Sequence, residues 1–392
     1  MAAGIDAASL LVIVAVAALA GLTVMALAPR VALPVVVLEL LFGIVIGPQA
    51  LDLAQVDATT KFLSNLGLGM LFFFAGYEID FERIRGRPLE LGALGWIISL
   101  ALAYGIGGVL AAAGIIVSYL YTGSAMATTA IGTLIPILRD EKELHTRFGS
   151  YLLGAGAIGE FGPILLVTLI LSTTHPLREA VLLVAFVALA VVAGVVAVRS
   201  AVSGWPVVQR TLESSAQVAV RLAVLLIFGL VALAGELGLD LLLGGFMAGL
   251  ITRVALRGRE VEVFESKLTA VGYGLLIPFF FVISGMAFDL NGLASTAAIL
   301  KLAMFVVLFL VVRGLPAMLL YRGELERRDR TALAFFCATE LPLVVAITTI
   351  AIESGHMRSS TAAGLVGAAI ISALVFPLIG LRIRRSARAQ EA

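Results

Sequence analysis

Apolar stretches of about 18 to 26 residues recur along the whole chain between short polar connections, and each is long enough to cross a hydrocarbon core about 30 Å thick. They fall near residues 7 to 28, 33 to 53, 62 to 79, 90 to 112, 115 to 138, 148 to 172 and 179 to 199, then 216 to 236, 239 to 256, 268 to 287, 296 to 321, 331 to 353 and 360 to 381. In lipid every backbone amide must be satisfied within its own segment, so each stretch must be a helix. The pattern predicts an all-α polytopic membrane protein with about 13 transmembrane helices.

Composition agrees. Of 392 residues 61% are hydrophobic and 14% charged, where a soluble domain has roughly 25% charged. The net charge of +1 says little, but the placement of charge says more. With the stretches numbered 1 to 13, most Lys and Arg follow odd-numbered ones or lie in the C-terminal tail, among them Arg83, Arg85, Arg87, Arg257, Arg259, Arg327, Arg328, Arg384 and Arg385. The connections after even-numbered stretches hold three, Lys61, Arg178 and Arg358. By the positive-inside rule the N-terminus is expected outside and the C-terminus in the cytoplasm of a plasma (inner) membrane, with lipid as the surrounding partner. The first stretch is too long for a cleaved signal peptide and is led by Asp6 rather than a basic cluster. Four residues follow Arg388, so no C-terminal soluble regulatory domain is expected.

Several chemistries drop out. The single Cys337 rules out an internal disulfide and a thiolate metal cluster. His145, His175 and His356 stand in connections on both sides of the predicted membrane and cannot meet at one metal. They read as loop residues, with pH sensing by cytoplasmic His145 as the alternative. No His lies within a predicted helix to activate Ser124, so an enzyme is not expected. Gly154, Gly156 and Gly159 spell GxGxxG, but inside an apolar helix with neither a preceding strand nor an acidic partner about 20 residues on. Neither nucleotide nor nucleic acid is expected, and these glycines with Gly162 read as a small-residue face for close helix packing.

The chain also repeats itself. GLGMLFFFAGYEIDF at 67 to 81 returns in pattern as GLLIPFFFVISGMAFDL at 274 to 290, each the third helix of a six-helix unit. Repeat one then spans about 7–172, a linking helix about 179–199 and repeat two about 216–381, with corresponding helices running in opposite directions. Inverted repeats are an architecture of secondary transporters, whose ion sites lie at interrupted helices in corresponding positions. Here the fifth stretch holds Thr128, Thr129, Gly132, Thr133 and Pro136, and the twelfth holds Thr339, Glu340 and Pro342. Proline removes a backbone donor and disfavours helix before it, so both stretches should break, and half-helix ends and freed carbonyls can then hold a cation.

Few charges fall inside the apolar stretches. Glu39, Glu160, Arg313 and Glu340 do, and each costs about 2.5 to 3.5 kcal/mol at the membrane centre unless paired or hydrated. Glu160, midway along the sixth stretch, is the carboxylate for which a proton and an alkali cation would compete, with a structural ion pair to Arg313 as the alternative. Glu39 reads as a structural hydrogen-bonding residue, and Lys301 can snorkel to the interface.

At these residues the chain resembles the Kef-type and sodium/proton exchanger branch of the monovalent cation:proton antiporters. The resemblance runs in order through LPVVVLELLFGIVIGP at 33 to 48, LGLGMLFFFAGYEID at 66 to 80, ATTA at 127 to 130, IPFFFVISGM at 277 to 286, VVRGL at 311 to 315 and TELPLVV at 339 to 345. It implies a homodimeric thirteen-helix antiporter fold with crossed discontinuous helices, moving Na+ or K+ against H+ without a cofactor. It further implies that Glu160 binds cation and proton in turn, that Thr128 and Thr129 complete the ligand shell, and that Arg313 and Glu340 balance charge near the breaks. Where the family usually carries an Asp-Asp or Asn-Asp pair, this chain reads Gly159-Glu160, and its basic residue is Arg313 rather than Lys. A guanidinium stays charged and cannot carry the transported proton, so exchange of one cation for one proton is expected. A channel or ion sensor of the same fold and a carrier of organic anions are the rival readings.

Overall fold

The computed structural model describes residues 6–27, 34–79, 84–144, 146–170, 216–237, 241–256 and 261–391, with scattered positions between 181 and 192. Among the described residues there is no strand. The helices are α1 (Ala7–Leu27), α2 (Val35–Ile46), α3 (Ala58–Tyr77), α4 (Arg87–Ala112), α5 (Tyr119–Met126), α6 (Ile131–Asp140), α7 (Arg147–Ile170), α8 (Val218–Glu236) and α9 (Leu241–Ala255). Then follow α10 (Glu262–Val271), continued through a π-helical turn into α11 (Ile277–Met286), and α12 (Thr296–Phe309), continued through a second π turn into α13 (Leu315–Leu320). Last come α14 (Arg327–Cys337), α15 (Pro342–Glu353) and α16 (Ser359–Glu391). Every predicted stretch but the seventh coincides with one of these helices or a broken pair; the linking helix at 179 to 199 lies mostly outside the described residues, as do His145 and His175.

Seven of the described helical runs are long and apolar enough to cross a membrane. Large apolar side chains such as Leu11, Met25, Val109, Leu225 and Leu300 stand exposed on them. In water so many exposed apolar groups would drive aggregation, whereas in a bilayer they meet lipid. The chain is an integral multi-pass membrane protein.

The described residues form two compact units. The first comprises Met1–Ala17, Ala54–Asp80 and Thr168–Ile283. Within it Asp57 caps α3, accepting from Thr60 N at 2.7 Å while Thr60 Oγ1 accepts from Asp57 N at 2.9 Å. Helices α3 and α9 touch backbone to backbone, since a Cβ at Gly245 would run into the carbonyl of Gly69 and one at Gly249 into that of Phe73. Such contact replaces the hydrophobic drive that lipid removes. Tyr77 stacks on Phe73 at 5.8 Å and donates to Glu265 Oε1 at 2.7 Å.

The second unit comprises Ala18–Leu53, Phe81–Val167 and Ser284–Ala392, and it holds both broken helices. Helices α4 and α7 approach closely because a Cβ at Gly92 would stand 2.6 Å from Gly154 O, and one at Gly154 2.7 Å from Pro88 O. The GxGxxG run is thus a packing face. Further along α7, Gly162 packs against Trp96, where a Cβ would stand 2.4 Å from Cζ2. Lys301 is tied inward: its Nζ donates to Ile115 O at 3.2 Å and Thr361 Oγ1 at 3.4 Å. His356 stacks on Tyr121 at 5.2 Å.

Candidate ion-binding site at two broken helices

The first break runs from Ala127 to Ala130, between α5 and α6, and the second from Ala338 to Leu341, between α14 and α15. The proline rule accounts for them unequally. Pro342 opens α15, a position where its missing N–H costs nothing. Pro136 sits inside α6, which continues through it, so the first break lies one to two turns earlier than the proline suggested. What unwinds that segment is tertiary hydrogen bonding. Ala130 N donates to Thr339 O at 2.8 Å, joining the two breaks, and Thr129 N donates to Gly159 O on α7 at 3.0 Å. Trp96 Nε1 reaches across from α4 to Ala127 O at 3.0 Å. On the other side Glu340 N donates to Ser372 Oγ of α16, also at 3.0 Å. Backbone groups that a continuous helix would satisfy internally are satisfied here by neighbours.

Arg313 lies in the second π turn, Leu310–Gly314, and is only 4% exposed. Single π turns often occur at functional positions, because the extra residue rotates the side chains around it. Four of the five guanidinium N–H groups are engaged. Nε and Nη2 donate to Thr129 Oγ1 at 2.9 and 2.7 Å, Nη1 to Ser99 Oγ at 3.2 Å and Nη2 to Ala155 O at 3.2 Å. Thr129 Oγ1 in turn donates to Cys337 O at 2.6 Å. Three heavy-atom partners use up the proton and lone pairs of that hydroxyl, so Thr129, expected as a cation ligand, seats the arginine in this structure. Thr128 differs: it donates to Ala125 O at 3.0 Å and keeps its oxygen lone pairs.

Gly159 explains the departure from the family's paired motif. A Cβ there would overlap Arg313 Nη2 and stand 2.9 Å from Thr129 Oγ1. The guanidinium occupies the space that a side chain at 159 would need. Glu160, the next residue, is 6% exposed on the middle of α7.

Glu340 sits in the second break and is 0% exposed. Arg313 is the cation whose charge acts on it, and the Thr128 hydroxyl lies near. Among the described residues, however, no ion pair joins Arg313 to Glu340, and neither Glu340 carboxylate oxygen has a hydrogen-bond partner. The Thr128 proton goes to Ala125 O instead. In the sequence Arg313 and Glu340 stand out as charges inside apolar runs; Ser99, Ser372 and Trp96 do not, each a lone polar group on a continuous helix with nothing local to mark it. Glu39, read as a hydrogen-bonding residue, is 3% exposed on α2 with Oε2 lacking a partner. Among the described residues no group of His, Cys, Asp and Glu could hold a multivalent metal.

Residues 14–381 match the family described as "Sodium/hydrogen exchanger, transmembrane". "Putative Na(+)/H(+) antiporter YjbQ" of Bacillus subtilis is 27% identical over 373 residues, covering 89% of this chain and 59% of that protein, so this chain spans little more than half of that relative. The "Na(+)/H(+)-K(+) antiporter GerN" of Bacillus cereus is 25% identical over 277 residues, 69% of either chain. In fold, the sodium proton antiporter MjNhaP1 of Methanocaldococcus jannaschii matches with a TM-score of 0.61 at 16% identity over 96% of both chains.

Proposed function

The chain belongs to the sodium/hydrogen exchanger family, and on that premise we propose that it exchanges a monovalent cation, Na+ or K+, for protons by alternating access. The observation that carries this reading is the buried Glu160 carboxylate on α7 beside two broken helices that hydrogen-bond to each other. Glu160 binds cation and proton in turn. Thr128 and carbonyls freed at the breaks offer neutral oxygen ligands, the hard donors that alkali cations take. Arg313 is held in place by Thr129, Ser99 and Ala155, and supplies a fixed positive charge that loses no proton during the cycle.

The finer features belong to the same proposal. Thirteen spans in two inverted six-helix repeats, an external N-terminus and cytoplasmic C-terminus in the plasma membrane, and a homodimer are supported by the internal repeat, the charge bias and the family resemblance. No cofactor beyond the transported ions is required. Relatives named as Na+/H+ and Na+/H+-K+ antiporters keep both cations in play.

Reconstitution into liposomes with an entrapped pH dye, with sodium, potassium, lithium or rubidium added in turn, tests the reading. At least one cation should drive proton movement. Cation flux without any proton response would instead mark a channel of this fold.

A further inference from the structure

Glu340 has no counterpart in the one-carboxylate scheme, and its surroundings do not account for it. A fully buried carboxylate whose two oxygens accept no hydrogen bond is costly in any low-dielectric interior. The obvious partner, Arg313, directs four of its five N–H groups elsewhere, to Thr129, Ser99 and Ala155 O. The backbone of Glu340 is pinned on both polar groups, N donating to Ser372 Oγ and O accepting from it, each at 3.0 Å. The backbone is therefore held in position, while the hydroxyl near the carboxylate, that of Thr128, gives its proton to Ala125 O. A bound cation is what such a group lacks.

We infer that Glu340 is a direct ligand of the transported monovalent cation, together with the Thr128 hydroxyl and Glu160. The inference rests on the exchange reading above and deepens it from one carboxylate to two. The charges then balance. Two ionised carboxylates, Glu160 and Glu340, and one guanidinium, Arg313, sum to −1, and all three are buried. One alkali cation or one proton neutralises that sum, and a neutral occupied site is the form that crosses a low-dielectric barrier at least cost. Arg313 would thus set the count of ions carried, by leaving one negative charge for the occupant to cancel.

The experiment compares wild type with Glu340→Gln and Glu340→Asp in two readouts, cation-driven proton flux in liposomes and the thermal shift that each cation produces in detergent. A ligand that binds only the folded state raises the unfolding temperature with its concentration, so the shift reports binding without transport. In Glu340→Gln the apparent affinity for the transported cation should fall about tenfold or more, the loss of a charged contact, with the cation-induced shift reduced in step. Its ion-free unfolding temperature should hold or rise, because the amide removes an unpaired buried charge; a purely structural carboxylate would show the reverse. Wild-type cation affinity in Glu340→Gln overturns the inference, as does unchanged affinity together with altered charge movement, which would make Glu340 a proton carrier only. Should the amide variant fail to fold, Glu340→Asp decides. It keeps the charge but withdraws it by one methylene, and unchanged affinity for every cation overturns the proposal. If wild type shows neither flux nor thermal shift with any cation, the exchange reading itself fails; if wild type responds and Glu340→Gln responds equally, only the ligand role fails.

Discussion

At the scale of single residues, the site is a set of trades among buried polar groups. Thr129 Oγ1 takes two arginine donors and gives its proton to Cys337 O, so Thr129→Val should leave the guanidinium short of partners and cost about 1 to 3 kcal/mol in detergent unfolding. Thr128→Val removes a hydroxyl with one bond of its own and should lower cation affinity more than stability. Equal stability losses in the two variants would contradict the division of roles between them. Gly159→Ala places a methyl where Arg313 Nη2 lies, and overpacking of that kind costs about 1 to 3 kcal/mol; transport should fall with it, and a variant of normal stability and rate would show that the guanidinium yields freely. Glu160, Arg313 and Glu340 could be picked out beforehand because a charge inside an apolar run is expensive enough to be conspicuous. That Thr129 is hydrogen-bonded to Arg313 could not, since neighbouring threonines look alike until their partners are placed.

At the scale of elements, hydropathy located the helices well and their interruptions less well. Apolar length marks a span, but the π turns at Gly272–Leu276 and Leu310–Gly314 add one residue per turn without disturbing the run of apolar side chains. The break before α6 falls at ATTA, 127 to 130, as the family resemblance implies, rather than at Pro136, and contacts from α7 and the second break hold it open. Arg384 of α16 ties the broken helices together at one end: it donates to both Glu143 oxygens, just after α6, at 3.2 and 3.1 Å, and to Asp329 at the start of α14. Its side chain also covers the Phe148 ring at 4.6 Å. Arg384→Ala leaves Glu143, 3% exposed in its side chain, without that charge and should lower stability by about 3 kcal/mol. A second junction joins α4 and α7 to the loop before α14, where Tyr151 Oη donates to Glu324 Oε2 at 2.5 Å, Arg147 at 2.6 Å, and Arg87 Nε to Oε1 at 3.3 Å. The Tyr151 hydroxyl, then Arg147, holds the Glu324 carboxyl below its usual 4.5. A lowered native pKa stabilises above the unfolded value and fades as pH falls through the native one. Acidification below about pH 4.5 should therefore lower the unfolding temperature of wild type more than that of Glu324→Gln; parallel curves would remove this junction from the acid response.

For the whole molecule, the proposed exchange makes proton coupling a consequence of charge. The three charged groups of the proposed site, Glu160, Glu340 and Arg313, sum to −1, one monovalent ion or one proton cancels that sum, and the membrane potential, which does about 2.3 kcal/mol of work per elementary charge per 100 mV, has nothing to act on in a one-for-one cycle. This follows from Arg313 being permanently charged and from Gly159 offering no further carboxylate. The direct measurement is a null-point assay in proteoliposomes, in which a cation gradient is fixed and the pH gradient is varied until net proton flux vanishes. The voltage is set independently, with sodium or lithium as the driving cation so that potassium and valinomycin can clamp it. Wild type should reach its null where the cation and proton gradients are equal, with no displacement on changing the voltage, and Glu160→Gln should show no flux at any gradient. A null point that moves with voltage, or cation-driven proton flux persisting in Glu160→Gln, would contradict the account.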